Sequence, residues 1–131
     1  MTFTEKDRES IERGIDLFNE GRYFDAHERW EGPWLRMPQG REKDFLQGLI
    51  MAAGAFHHYS RRECAGAGEL LLRSIDFLEK KSDLYPEMET DSLVASLVSL
   101  KELFNRCTFS IAVEQLPKIG RWSGREAYRV A

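Results

Sequence analysis

Apolar residues recur along this chain at intervals of three and four, the spacing that keeps one face of an α-helix dry. Ile11, Ile15 and Phe18 mark the first such face. Thr4 stands where an N-cap is expected, and Asp7 follows three places on, near the positive end of the helix dipole. Asn19-Glu20-Gly21 closes this helix, with Gly21 as the left-handed stop. A second helix begins around Tyr23 to Asp25 and carries Ala26, His27, Glu28, Arg29, Trp30 and Glu31. Gly32-Pro33 is expected to end or kink it, because proline lacks an amide hydrogen and crowds the carbonyl four residues back. Met37-Pro38-Gln39-Gly40 reads as a loop.

A third helix is predicted from Arg41 to Ser60. Leu46 to Phe56 is apolar apart from Gln47, and Gly48, Ala52, Ala53, Gly54 and Ala55 are small enough to admit a neighbouring helix closely. This is the expected central helix. A fourth runs from Cys64 to Lys81, with Leu71, Ile75 and Leu78 on one stripe. Asp83 to Glu87, holding Pro86, reads as a linker. Thr90 then caps a fifth helix whose buried stripe is Leu93, Leu97, Leu100 and Phe104. Phe109 to Leu116 reads as one short further helix, and Arg121 to Ala131 as a docked or frayed tail. No strand-like alternation persists. The expected fold class is all-α, a compact antiparallel helical bundle of about five to six helices, in a single domain spanning residues 1–131. Ile15 to Trp34 has the look of one tetratricopeptide-type hairpin, but no second copy follows at the expected period.

Composition narrows the classes of function. The chain has 131 residues, 42% apolar and 31% charged, with a formal net charge of -3, which excludes a disordered or collagen-like chain. A nucleic-acid role is disfavoured: Arg121, Arg125 and Arg129 are few, and the whole chain is acidic. No uncharged apolar run is long enough to span a membrane. Met1 to Ser10 lacks the apolar stretch of a secretory signal. Cys64 and Cys107 are read as two reduced, mostly buried thiols, which makes a cytoplasmic location the default.

The polar residues of the second and third helices carry the candidate chemistry. His27 and Glu31 are four apart, and Glu28 and Glu31 three apart, so one short helix presents an imidazole and two carboxylates in a narrow arc. Tyr23, Phe24, Trp30 and Trp34 surround them with aromatic surface that should leave these carboxylates poorly hydrated. On the third helix Gln47, Met51, Gly54 and His58 line one face. If that face packs on the second helix, Gln47 and His58 meet His27, Glu28 and Glu31. His57, about 100° further round, is the less favoured member of the set. The zinc-protease motif His-Glu-x-x-His is absent, because Glu31 stands where its second histidine belongs. A serine nucleophile elbow and a glycine-rich phosphate loop are also missing.

Leu17-Phe18-Asn19-Glu20-Gly21-Arg22-Tyr23-Phe24-Asp25-Ala26-His27-Glu28, followed by Glu31 and Trp34, resembles the opening motif of a small prokaryotic family, domain of unknown function 309. Phe45-Leu46-Gln47-Gly48-Leu49-Ile50, then His58, and Ala65-Gly66-Ala67 before Leu71-Leu72 resemble its second half. The resemblance runs from Arg8 to Lys80. It implies a compact all-α fold and places His27, Glu28, Glu31, Trp34, Gln47 and His58 on the family's motif positions. It implies no activity. Two departures stand out: Met51 where members often carry a second glutamine, and Arg62-Glu63 where they often carry Gly-Asn.

Three readings follow. The first is a cytoplasmic bundle that binds a ligand or protein partner through a buried cluster of His27, Glu28, Glu31, Trp34, Gln47 and His58. The second is a metal-dependent, hydrolase-like enzyme with a divalent metal on His27, Glu31 and His58 and Glu28 as general base. The third is a scaffold that only oligomerises.

Overall fold

The computed structural model describes residues 4–120. The expectation for the 121–131 tail lies outside the described residues. Six α-helices follow in order: α1 (Glu5–Asn19), α2 (Tyr23–Arg36), α3 (Arg41–Ser60), α4 (Cys64–Leu78), α5 (Thr90–Ser99) and α6 (Lys101–Asn105). Short 3₁₀ turns occupy Pro86–Met88 and Val113–Gln115. No strand occurs among the described residues, so the all-α class holds. None of these helices is long and apolar enough to cross a membrane.

The start of α1 follows from local chemistry. The Thr4 hydroxyl accepts from the Asp7 amide at 3.1 Å, and the Thr4 amide donates back to the Asp7 carboxylate. This reciprocal cap satisfies two groups that a helix end leaves orphaned. Asp7 is buried and also pairs with Arg36 at the far end of α2. Burial alone would raise its carboxyl pKa; the Arg36 guanidinium and the Thr4 backbone outweigh it and hold it below 3.8.

Gly21, at φ 84, reverses the chain into α2. That helix does not stop at Gly32-Pro33 as expected but continues to Arg36. Pro33 removes a single backbone hydrogen bond and is itself buried. The extra turn is retained because it carries Arg36 to the buried Asp7.

The α1–α2 hairpin closes on Trp30, which is fully buried and donates its indole N–H to the Ile11 carbonyl at 3.1 Å. The ring lies where a Cβ on Gly14 would have to be, so only glycine allows this approach. Phe18 and Phe56 continue the aromatic core from Trp30 toward α3.

α3 has the expected bounds and is the buried central helix. Ala52, Ala53, Ala55 and Phe56 have no exposed surface, and a Cβ on Gly48 would fall 2.7 Å from Leu78 of α4. Ser74 of α4, buried, donates to the Gly48 carbonyl at 2.8 Å, so the close approach also satisfies a polar group.

The C-terminal third departs further from expectation. α4 ends at Leu78, and Lys80 turns the chain at φ 63. Thr90 is the first residue of α5 rather than its cap; it is buried, and its hydroxyl caps nothing. The stripe Leu93, Leu97, Leu100 and Phe104 is buried as predicted, but the helix breaks at Leu100. Residues 109–116 form only a 3₁₀ turn, Val113–Gln115, and a side chain from α3 takes both backbone groups of one of them. The Tyr59 hydroxyl bonds both the carbonyl and the amide of Ile111, and the Asn19 amide brackets Ile119 in the same way.

The cysteines also differ from expectation. Cys64 at the start of α4 and Cys107 after α6 are joined in a disulfide, with Cα atoms 5.2 Å apart. Neither is buried. The packing of α6 on α4 unites two positions 43 residues apart, which spacing alone does not reveal. With both sulfurs bonded, free thiols no longer speak for a cytoplasmic setting.

Two outcomes follow. Gly14→Ala forces a methyl group into the Trp30 ring and is expected to lower stability by about 1–3 kcal/mol, read as a fall in the urea midpoint. Replacing Cys64 and Cys107 together by serine frees a loop of 43 residues and is expected to cost about 2–4 kcal/mol. Equal urea midpoints for that variant and the oxidised parent would show that the bond contributes nothing.

Candidate functional site

Trp30 sets the orientation of α2. With its ring pointing inward, the usual 100° per residue places Trp34 and His27 about 40–60° to one side, Glu31 and Phe24 about 100–120°, and Glu28 near the outer pole. The observed burial follows that order. Trp34 is half-buried, the His27 side chain is 31% exposed, and Glu31 and Glu28 are 49% and 56% exposed. Phe24, with 54% of its surface open, completes the row. The flanking aromatics therefore do not enclose the carboxylates; the group is a rim beside α3, not a sealed nook.

Within the rim the imidazole and carboxylates do converge. His27 Nε2 is 3.9 Å from the Glu31 carboxylate, and His27 Nδ1 is 3.8 Å from that of Glu28. One potential ligand atom from each of the three lies within 4.8 Å of the others. Phe24 stacks on the His27 ring, with centroids 6.3 Å apart and planes 12° apart. His27 Nδ1 is buried and has no hydrogen-bond partner.

About two turns along α2 from His27, Trp34 meets α3. The Lys43 ammonium sits 4.4 Å from the centre of its ring, while the indole N–H is buried without an acceptor. Gln47, one turn after Lys43, is half-buried on the outer side of α3.

The remaining members of the expected cluster turn elsewhere. A Cβ on Gly54 would lie 3.0 Å from Leu70 of α4, and one on Gly66 of α4 would lie 3.0 Å from the His58 ring. The line Gln47, Met51, Gly54 and His58 therefore follows the outer surface of α3 and leans toward α4. His58 Nδ1 is held by Glu63 at 2.7 Å. That hydrogen bond, aided by Arg61, keeps the Glu63 carboxyl below its usual 4.5.

His57 is the histidine turned to α2, the reverse of the order expected from sequence. Its ring packs on Phe24 at 5.5 Å. Burial lowers its pKa first; the charges of Arg61, His58 and His27 act the same way and exceed the opposing pull of Glu63. The Glu63 partner of His58 was not legible in the sequence, because it depends on a backbone reversal at a non-glycine residue. Arg62, in the left-handed region at φ 60, turns the chain so that Glu63 comes back to the last turn of α3.

Residues 11–70 match the sequence model of the family described as Domain of unknown function (DUF309). Over 69 residues the chain is 32% identical to the Uncharacterized protein YpuF of Bacillus subtilis (strain 168). That alignment takes in 53% of this chain but only 40% of the length of that relative. The matched stretch is narrower than Arg8 to Lys80, yet it contains His27, Glu28, Glu31, Trp34, Gln47 and His58.

The lowered pKa of His57 carries a sign. The unfolded chain takes up this proton near pH 6.5, while the folded chain resists it to lower pH. Stability from this residue is thus fully present above pH 6.5 and falls as pH drops below it. In an NMR titration the His57 ring should titrate below 6.5. His57→Gln should flatten that part of the stability–pH profile, and an unchanged profile would count against the burial argument.

Proposed function

We propose that this protein is a binding module whose working surface is the outer rim shared by α2 and α3. Phe24, His27, Glu31, Trp34 and Gln47 present it to a ligand or protein partner. The observation that carries this reading is a pair of buried polar atoms, Trp34 Nε1 and His27 Nδ1, that find no partner within the described residues. A buried indole N–H ordinarily has an acceptor, and leaving one unmade costs about 1–3 kcal/mol. Both atoms lie on the one face that also exposes a large aromatic ring, Phe24. Such a face gains from a partner that lays apolar surface on Phe24 and offers an acceptor that a small shift of the Trp34 side chain can reach.

The matched family stretch contains Phe24, His27, Glu31, Trp34 and Gln47, so this face lies wholly within it. The shallow rim favours recognition over sequestered chemistry, because groups about half open to water lack the dry surroundings in which electrostatic catalysis is strongest. Glu28, cast as a general base in the metal-enzyme reading, is the most exposed of the three.

The test is a fragment screen by amide and indole NMR on the labelled full chain, using small carboxylates, amides and heteroaromatics. Binders are expected to shift the signals of Phe24, His27, Glu31 and Gln47 together, with the Trp34 indole N–H moving most. Trp34→Phe, which keeps the ring stack but deletes the donor, should weaken those binders by about tenfold, the equivalent of one net hydrogen bond. Shifts gathered instead at the charged groove of Arg41, Asp44, Asp76 and Lys80 would overturn the assignment of the face.

A further inference from the structure

We propose that His27 and Glu31, backed by Glu28, bind a single divalent transition-metal ion of the zinc, nickel or cobalt class. This inference rests on the reading of the α2–α3 rim as a binding surface and names one ligand for it. The geometry starts from the helix. Residues four apart stand one above the other, so one imidazole and one carboxylate can close on a common point without moving the backbone. Metal–nitrogen and metal–oxygen bonds of about 2.0–2.2 Å at a tetrahedral angle set the donors about 3.3 Å apart. His27 Nε2 and Glu31 Oε2 are 3.9 Å apart, so a small rotation of a half-exposed glutamate is sufficient.

The second nitrogen of His27 fits the same assignment. Nδ1 is buried and makes no hydrogen bond, and the Glu28 carboxylate is 3.8 Å away. With Nε2 on a metal, Nδ1 must carry the proton, and a modest swing of Glu28 gives it an acceptor. A carboxylate behind the distal nitrogen fixes the tautomer and makes the imidazole a better ligand. Phe24 holds both imidazoles, stacked on His27 and packed 5.5 Å from His57, so histidines from two helices flank one ring. His57 packs on Phe24 and lies outside the ligand set, whose one imidazole is that of His27.

Donor type selects the ion. Imidazole with carboxylate suits zinc, nickel and cobalt. Calcium needs six to eight oxygen donors, and one turn of α2 supplies carboxylates from only two residues on this rim. His58 is assigned no part, because its Nδ1 is committed to Glu63 at 2.7 Å on the α4 side.

The experiment is a calorimetric titration of chelator-stripped, tag-free full chain with Zn²⁺ alone. Visible absorption with Co²⁺ reports the coordination number. One ion per chain is expected, with micromolar affinity. His27→Ala and Glu31→Gln should each weaken it at least tenfold, and Glu28→Gln by a smaller factor, with circular dichroism unchanged. His58→Ala should leave the affinity within twofold. Absence of saturable binding below millimolar Zn²⁺ would overturn the proposal. So would binding abolished by His58→Ala or Glu63→Gln but kept by His27→Ala, which would move the ion to the α3–α4 corner. The two readings fail separately: fragments that still gather on the rim of a chain that takes no metal sink the metal site alone.

Discussion

The indole of Trp30 is the constraint on which the rest of this molecule depends. It is fully buried, bonded to the Ile11 carbonyl, and seated in the space that Gly14 leaves open. That contact does more than add apolar burial. Helices packed ridge into groove have several competing fits, and a side chain that fits only one way selects among them. Trp30 fits one way, because its N–H must reach a carbonyl and its ring must lie on a glycine. Once the azimuth of α2 is set, the positions of His27, Glu31 and Trp34 on the rim beside α3 follow from the helical period alone.

The other flank of α3 is fixed by a different device. Gly48 admits Leu78, and Ser74 bonds the Gly48 carbonyl, so α4 sits close and cannot slide without breaking a buried hydrogen bond. With α1 and α2 packed on one side of α3 and α4 on the other, only its outer line stays half-buried. That line carries Gln47, Met51, Gly54 and His58. The remaining chain is held by longer-range ties: the disulfide from α4 to the end of α6, and the Tyr59 and Asn19 side chains on residues 111 and 119. These ties substitute for regular structure. A segment whose amides and carbonyls are taken by side chains from elsewhere has no need of a helix to satisfy them.

Periodicity made α1, α3 and the apolar stripe of α5 legible, because each is a local pattern answering to one buried side. The Thr4–Asp7 cap was equally readable, since both partners lie within one turn. What escaped was everything decided at a distance. Pro33 reads as a stop until the buried Asp7 is seen to hold Arg36 one turn beyond it. Residues 109–116 read as a helix until Tyr59 takes both polar groups of Ile111. Cys64 and Cys107 read as separate thiols until α6 is seen to pack on α4.

The candidate site divides along the same line. Convergence of His27, Glu28 and Glu31 is a property of one helix, and their spacing showed it. The choice between His57 and His58 is a property of two helices. Adjacent residues differ by about 100° in direction, so both histidines sit at edges of the same outer surface, and composition gives no preference. The decision belongs to what each edge meets. On the α4 edge, Gly66 leaves room for the His58 ring and Glu63 offers it a carboxylate. On the α2 edge, Phe24 offers a ring face to His57. A histidine settles where its polar atom is satisfied or its ring is covered. Here two edges each provide for one, so the pair splits between them, and only the member beside Phe24 shares a surface with His27.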